Sequence, residues 1–171
     1  ISGRQQMFMN KVLITSLGCK LNSAEAAGLR TLFREKGYEL TDSVRDADIF
    51  LLNSCIVTAR AGAKCRKMIR RVLRINPQLT VIVAGCYAQV GVEELEEIPG
   101  IDYMLGTAEK HRVFDYVSSP GKRTVPMVRA APFTGSEKAV SCLGTYRARS
   151  RAVVKIQSGC SNRCSYCIVP L

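Results

Sequence analysis

The stretch DIFLLNSCIVTARAGAKCRKMIRRVLRINPQLTVIVAGC, residues 48–86, decides the fold. It opens on a run of bulky apolar residues, Ile49-Phe50-Leu51-Leu52, and closes on another, Val81-Ile82-Val83. Neither run alternates with polar residues, so each reads as a strand buried on both faces. Between them Ala61, Cys65, Met68, Ile69, Val72 and Leu73 recur at helical spacing, and Pro77 lies just past the end. Strand, helix and strand in this order need a crossover connection. That pairs the strands in parallel and lays the helix over the sheet.

The alternation continues on both sides. Residues 12–17 form a short apolar run that stops at Gly18. Asn22 and Glu25 have the spacing of a capping box; Leu29, Leu32 and Phe33 then share one helical face, and Gly37 ends it. A weaker strand candidate covers 38–41. Downstream come a short acidic helix over 90–98, a strand over 103–106 and a helix over 108–117. The expected fold class is α/β, a mostly parallel sheet with helices on both faces, flavodoxin-like in kind. No Gly-rich, phosphate-cradling loop follows the first strand, which argues against a nucleotide-binding module.

The chain divides into four parts. Residues 1–8 read as a vector-derived scar, with Met9 as a natural start. Residues 9–117 make the first domain. Residues 118–150 read as a linker, irregular and basic, punctuated by Pro120, Gly121, Pro126, Pro132 and Gly135. Residues 152–157 form a fresh strand within a segment, 151–171, that opens a second domain.

Charge and cysteine content narrow the function. No apolar run approaches the roughly 18 to 20 residues of a membrane span, and residues 1–10 lack the apolar core of a secretory signal. The chain has eight cysteines. Without a secretory signal these point to a reducing, cytoplasmic setting and to metal or redox chemistry. The net charge is +11, and from Ser118 onward Glu137 is the only acid against nine bases. Arg60, Lys64, Lys67, Arg71 and Arg74 add a basic stripe on the helix of the quoted stretch. Such asymmetry suggests a polyanionic partner, nucleic acid first; the alternative reading is a merely solvated face.

The cysteines fall at telling places. Cys19, Cys55 and Cys86 each follow a strand, so a parallel sheet should bring them to one edge, where ligand crevices form. Gly18 and Gly85 precede two of them and allow sharp turns. Cys160, Cys164 and Cys167 form a C-x3-C-x2-C set just after the strand at 152–157. Three thiolates suit an iron–sulfur cluster with one open iron better than structural zinc, which wants four ligands. Cys65 lies on an apolar helix stripe and reads as core. Cys142 sits in the linker without an evident partner, and His111 reads as a surface or capping residue.

Those motifs carry a resemblance. GCSNRCSYCIVP, residues 159–170, resembles the cluster motif of radical S-adenosylmethionine enzymes of the methylthiotransferase family. SLGCKLNSAEA, NSCIVTARA and AGCYAQ resemble the three cysteine segments of that family's N-terminal domain, in the right order. The resemblance implies two [4Fe–4S] clusters. Cys160, Cys164 and Cys167 would hold the one whose open iron binds S-adenosylmethionine. Cys19, Cys55 and Cys86 would hold an auxiliary cluster involved in sulfur insertion. It implies a 5′-deoxyadenosyl radical that abstracts hydrogen, after which a methylthio group is installed, with an external electron donor and tRNA as partners.

Lys20-Leu21-Asn22 after Cys19, and Ile56-Val57-Thr58 after Cys55, are similar to the branch acting on N6-threonylcarbamoyladenosine at tRNA position 37. Two other branches act on isopentenyladenosine in tRNA and on a ribosomal-protein aspartate. A non-catalytic iron–sulfur or zinc protein is the alternative from another class. Family members continue far beyond the cluster motif. The resemblance therefore implies a fragment, inactive alone, whose strand at 152–157 lacks its partner and whose last three cysteines carry no ordered cluster.

Overall fold

A computed structural model describes residues 10–117, 120–131, 160, 162 and 164–167. Six strands form one sheet in the order β2-β1-β3-β4-β5-β6, and every neighbouring pair is parallel. They are β1 (Lys11–Ser16), β2 (Glu39–Leu40), β3 (Ile49–Ser54), β4 (Thr80–Gly85), β5 (Tyr103–Leu105) and β6 (Met127–Arg129). The crossovers are α1 (Lys20–Glu35) and α2 (Ala59–Ile75), then the short α3 (Cys86–Val90) and α4 (Val92–Glu96). A 3-10 turn (Glu109–Arg112) and α5 (Val113–Tyr116) follow β5. This is the α/β, flavodoxin-like sheet that the apolar runs predict.

The pleat sorts the side chains into two cores, because successive strand residues point to opposite faces. Leu13, Phe50, Leu52, Val81, Val83 and Met104 pack on one face with Cys65, Ile69 and Val72 of α2 and Leu95 of α4. Val12, Ile14, Ile49, Leu51, Ile82 and Leu105 pack on the other with Leu29 and Phe33 of α1 and Val113 of α5. All six residues of β3 and of β4 are buried, which is why these strands read as continuous apolar runs. Met68 and Leu73 lie at the rim of the first core, half-buried. Cys65 is fully buried there, as its place on the stripe predicts.

The structure corrects several local readings. Asn22 and Glu25 form no capping box: α1 starts at Lys20, with Cys19 at its N-cap in an extended conformation and no side-chain cap. Both side chains are buried and drawn into tertiary hydrogen bonds instead. The acidic helix of 90–98 is two short helices broken at Gly91, where a Cβ would stand 2.3 Å from the Tyr87 ring. The first of these begins at Cys86 itself. The helix of 108–117 is a 3-10 turn running into α5. The irregular stretch after 118 contains β6, which pairs with β5 at the sheet edge. Residues 152–157 lie outside the described residues, as does Cys142.

Candidate functional site

The strand order reverses at β1. Its crossover α1 leads outward to β2 over one face, whereas β3 begins the run to β6 and its crossover α2 covers the other face. The loops at the carboxyl ends of β1 and β3 therefore part, and an open α/β sheet places its ligand crevice at such a point. A cleft of about 580 Å³ lies there, lined among others by Gly18, Cys19, Cys55, Thr58, Arg60 and Lys64.

Two of the strand-end cysteines line this cleft, and the third follows the next strand. Cys19 is exposed, three residues past the end of β1. Cys55 directly follows β3 and is only 3% exposed. Cys86 directly follows β4 and is half-buried. Ser54 and Gly85 are register partners, so Cys55 and Cys86 leave adjacent strands at the same level. Cys86 does not line the cleft but lies near enough for the Cys55 and Cys19 thiols to act on it electrostatically.

Gly18 makes the close approach possible. Its φ is +118°, and a Cβ there would stand 2.2 Å from the Cys55 Cβ and 2.6 Å from its Sγ. Only glycine fits both constraints. Asn22 ties the same two loops together. Its Nδ2 donates to the Leu17 carbonyl at 3.0 Å and to the Ser54 carbonyl at 2.9 Å. The Cys19 thiol donates to its Oδ1 at 3.8 Å. Asn53 Nδ2 in turn donates to the Asn22 carbonyl at 3.0 Å. A single buried amide thus sets the Cys19 loop against the strand that delivers Cys55.

Behind the thiols lies a buried ion pair. Lys110 Nζ donates to Glu25 Oε2 at 2.6 Å. Burial pushes the Cys86 thiol up from its usual range; the Lys110 charge works against this, and the neighbouring Cys55, Cys19 and Glu25 reinforce it. Burial likewise pushes Cys65 up, although its thiol donates to the Cys55 carbonyl at 3.6 Å.

Among the described residues no three His, Cys, Asp or Glu side chains are grouped to hold one metal ion. An iron–sulfur cluster spreads its thiolates over separate irons. Free thiols at the ends of three neighbouring strands, with the nearby Cys65 thiol buried in the core, are a donor set that fits such a cluster better than structural zinc, which takes four ligands. The Gly18–Cys55 contact fits it too, since it brings two of the donor loops together.

Arg60, Lys64, Lys67, Arg71 and Arg74 are all exposed on α2, as the stripe predicts. Arg60 and Lys64 also line the cleft, so the stripe starts at the thiols. Thr58 caps the helix, accepting from Ala61 N–H at 3.1 Å. Arg66 departs from the stripe and pairs with Glu94 and the Tyr87 hydroxyl. Cys160, Cys164 and Cys167 are free thiols, and a turn joins the last two, where Cys167 N–H donates to the Cys164 carbonyl at 3.0 Å. His111 sits half-buried in the 3-10 turn. Asn22, Asn53 and Lys110 escape a reading of the sequence as site residues. The sole signal is that Asn22 and Asn53 fall within three residues of a strand-end cysteine.

Residues 11–106 match the family described as "Uncharacterized protein family UPF0004". The chain is 35% identical to the threonylcarbamoyladenosine tRNA methylthiotransferase MtaB of Bacillus subtilis, over 95% of this chain and 36% of that protein. It is 34% identical to the tRNA-2-methylthio-N(6)-dimethylallyladenosine synthase of Syntrophus aciditrophicus, over 93% of this chain and 35% of that one. The MtaB of Aquifex aeolicus is 31% identical over 94% and 39%. The chain thus spans little more than a third of the length of the curated relatives it matches. No helix of the described residues is long and apolar enough to cross a membrane. The match over residues 11–106, with the thiol-bearing strand ends inside it, places the chain in the UPF0004 family.

Proposed function

We propose that the chain is the N-terminal part of a cytoplasmic tRNA methylthiotransferase acting on N6-threonylcarbamoyladenosine at position 37. Cys19, Cys55 and Cys86 hold an auxiliary [4Fe–4S] cluster, and Cys160, Cys164 and Cys167 hold the cluster that binds S-adenosylmethionine. The observation that carries this reading is the placing of three free thiols at adjacent strand ends, two of them, Cys19 and Cys55, lining a cleft that also takes in Arg60 and Lys64. The names of the Bacillus and Aquifex relatives support the threonylcarbamoyl branch, as do Lys20-Leu21-Asn22 and Ile56-Val57-Thr58 after the first two cysteines. The first domain then runs through β6, and residues 151–171 open the radical domain.

When bound, the clusters and S-adenosylmethionine, with an external electron donor, supply the electron transfer, hydrogen abstraction and methylthio donation. The protein's own part is to hold and orient. Gly18 and Asn22 fix the Cys19 loop against Cys55. The exposed bases of α2 draw phosphates to the cleft by a charge that salt screens.

The test is to delete the full-length gene and profile tRNA nucleosides by mass spectrometry. The 2-methylthio form of N6-threonylcarbamoyladenosine should vanish, return with the wild-type gene, and stay absent with Cys55→Ser or Cys164→Ser. Loss of the methylthio isopentenyladenosine instead would assign the other tRNA branch. An unchanged tRNA profile would refute the tRNA reading. Zinc without iron and sulfide in anaerobically reconstituted protein would favour a structural metal site.

A further inference from the structure

The cleft at the carboxyl ends of β1 and β3 has a rim of one sign. Among the described residues that line it, Arg60 and Lys64 carry charge, both positive, and none is an acid. The two stand about one helical turn apart on α2, at i and i+4, and so share a face. Both are exposed, and neither makes an ion pair among the described residues.

Helix stability does not ask for them. The first turn of a helix is the positive end of its dipole and favours acids. In α2, 17 residues long, the first turn has no acid, and Arg60 stands there instead. The Thr58 cap accepts from Ala61 N–H but brings no negative charge. The helix pole and the two cations therefore add at the rim of the cleft, and an external anion would offset all three.

What else lines the cleft decides which anion. Cys19 and Cys55 do, and in the proposed reaction sulfur goes to C2 of the nucleoside. The base itself must then face the thiols, whereas a backbone phosphate need not. On the purine, C2 and C6 flank N1, so a group on N6 stays beside the carbon that takes the sulfur. In N6-threonylcarbamoyladenosine the threonine nitrogen is used in the carbamoyl link, which leaves a carboxylate and a hydroxyl free. The isopentenyl group has neither and is apolar throughout.

We propose that Arg60 and Lys64 bind the threonyl carboxylate and so select the threonylcarbamoyl nucleoside over the isopentenyl one. The inference rests on the reading of this chain as part of a methylthiotransferase of the threonylcarbamoyl branch. The Arg60 guanidinium presents paired N–H donors that match a carboxylate, and Lys64 adds a second positive charge. Ser23 and Thr58 line the same cleft and offer hydroxyls to the threonine hydroxyl. An isopentenyl group in that place would strip water from two cations and return no hydrogen bond. A site built for polar contacts rejects an apolar analogue in this way.

The test is binding, read by fluorescence anisotropy with reconstituted full-length protein and anticodon stem-loop RNAs that differ only at position 37. The nucleoside there is N6-threonylcarbamoyladenosine, its neutral carboxamide, N6-isopentenyladenosine or adenosine. Wild type should bind the carboxylate form several-fold more tightly than the carboxamide. Arg60→Gln with Lys64→Gln should bring those two affinities together and weaken the other RNAs far less. Each single variant should narrow the gap part-way. Arg74→Gln, near the far end of the basic stripe, should weaken all four RNAs alike and keep the gap. Circular dichroism and the urea midpoint should match wild type, because these side chains are exposed. Equal wild-type affinity for carboxylate and carboxamide would overturn the proposal. So would a double variant that loses affinity for all four RNAs by one factor, since the two cations would then serve phosphates. A wild-type preference for the isopentenyl RNA would instead refute the branch reading on which the proposal stands.

Discussion

Gly18 lies against Cys55 with no room for a methyl group between them: a Cβ at Gly18 would be 2.2 Å from the Cys55 Cβ. The contact joins two loops that are 37 residues apart in the chain. Gly18→Ala should separate them. A left-handed backbone at a residue with a Cβ costs about 1–2 kcal/mol, and the clash adds to it. The expected result is a lower urea midpoint together with reduced iron uptake after reconstitution. Wild-type iron uptake would show that the Cys19 loop need not touch Cys55.

Asn22→Ala removes two donors and leaves the Leu17 and Ser54 carbonyls without them. Buried acceptors stripped of a donor cost about 1–3 kcal/mol. Because Asn22 does not cap α1, helix content by circular dichroism should stay unchanged while the urea midpoint falls. Asn22→Asp should be worse than Asn22→Ala, since a carboxylate would face two carbonyl oxygens. Equal stability for these two variants would argue that the amide hydrogen bonds matter little.

Arg71→Glu and Arg74→Glu change exposed residues of α2 that make no ion pair among those described. Their stability should stay within about 0.5 kcal/mol of wild type. Affinity of the full-length protein for tRNA should fall, and the dependence of log K on log salt should become shallower. An unchanged salt slope would leave this face as ordinary solvated surface.

Thiol reactivity should follow burial. In metal-free protein N-ethylmaleimide should modify exposed Cys19 first, half-buried Cys86 more slowly and Cys65 only on unfolding. Burial raises the Cys65 thiol above its ordinary value of about 8.5. The protonated thiol therefore favours the folded state. Its contribution is complete below about pH 8.5 and fades as pH rises toward the folded value, because the unfolded chain loses that proton first. Urea midpoints measured from pH 7 upward should fall, and Cys65→Ala should flatten the decline. Mass-mapped labelling of Cys65 in the native state at pH 7 would contradict its placement in the core.

What was legible in the sequence follows from what each residue has to satisfy. β3 and β4 are buried on both faces, so nearly every position must be apolar, and the run announces itself. The thiol-bearing edge was legible because Cys19, Cys55 and Cys86 each stand just past such a run. β6 was not: three residues on a sheet edge, half-exposed and one residue past Pro126, carry no pattern of their own and depend on β5. Asn22 and Glu25 misled because a capping box is a local signal, and here tertiary partners take up both side chains. Lys110 sits between Glu109 and His111 in a charged run that reads as surface; its burial comes from a partner 85 residues away.

The α2 helix has a consequence as a ruler. Its 17 residues give a rigid length of about 25 Å at 1.5 Å per residue. Thr58 and Arg60 stand at the zero mark, on the rim of the cleft, and Arg74 stands near the far end. A polyanion bound along the basic face is thereby measured from the thiols outward. A four-residue insertion in the exposed middle of α2 would keep the helical phase to within about 40° yet lengthen the scale by about 6 Å. Both ends would still be present, but no longer at the spacing this chain encodes.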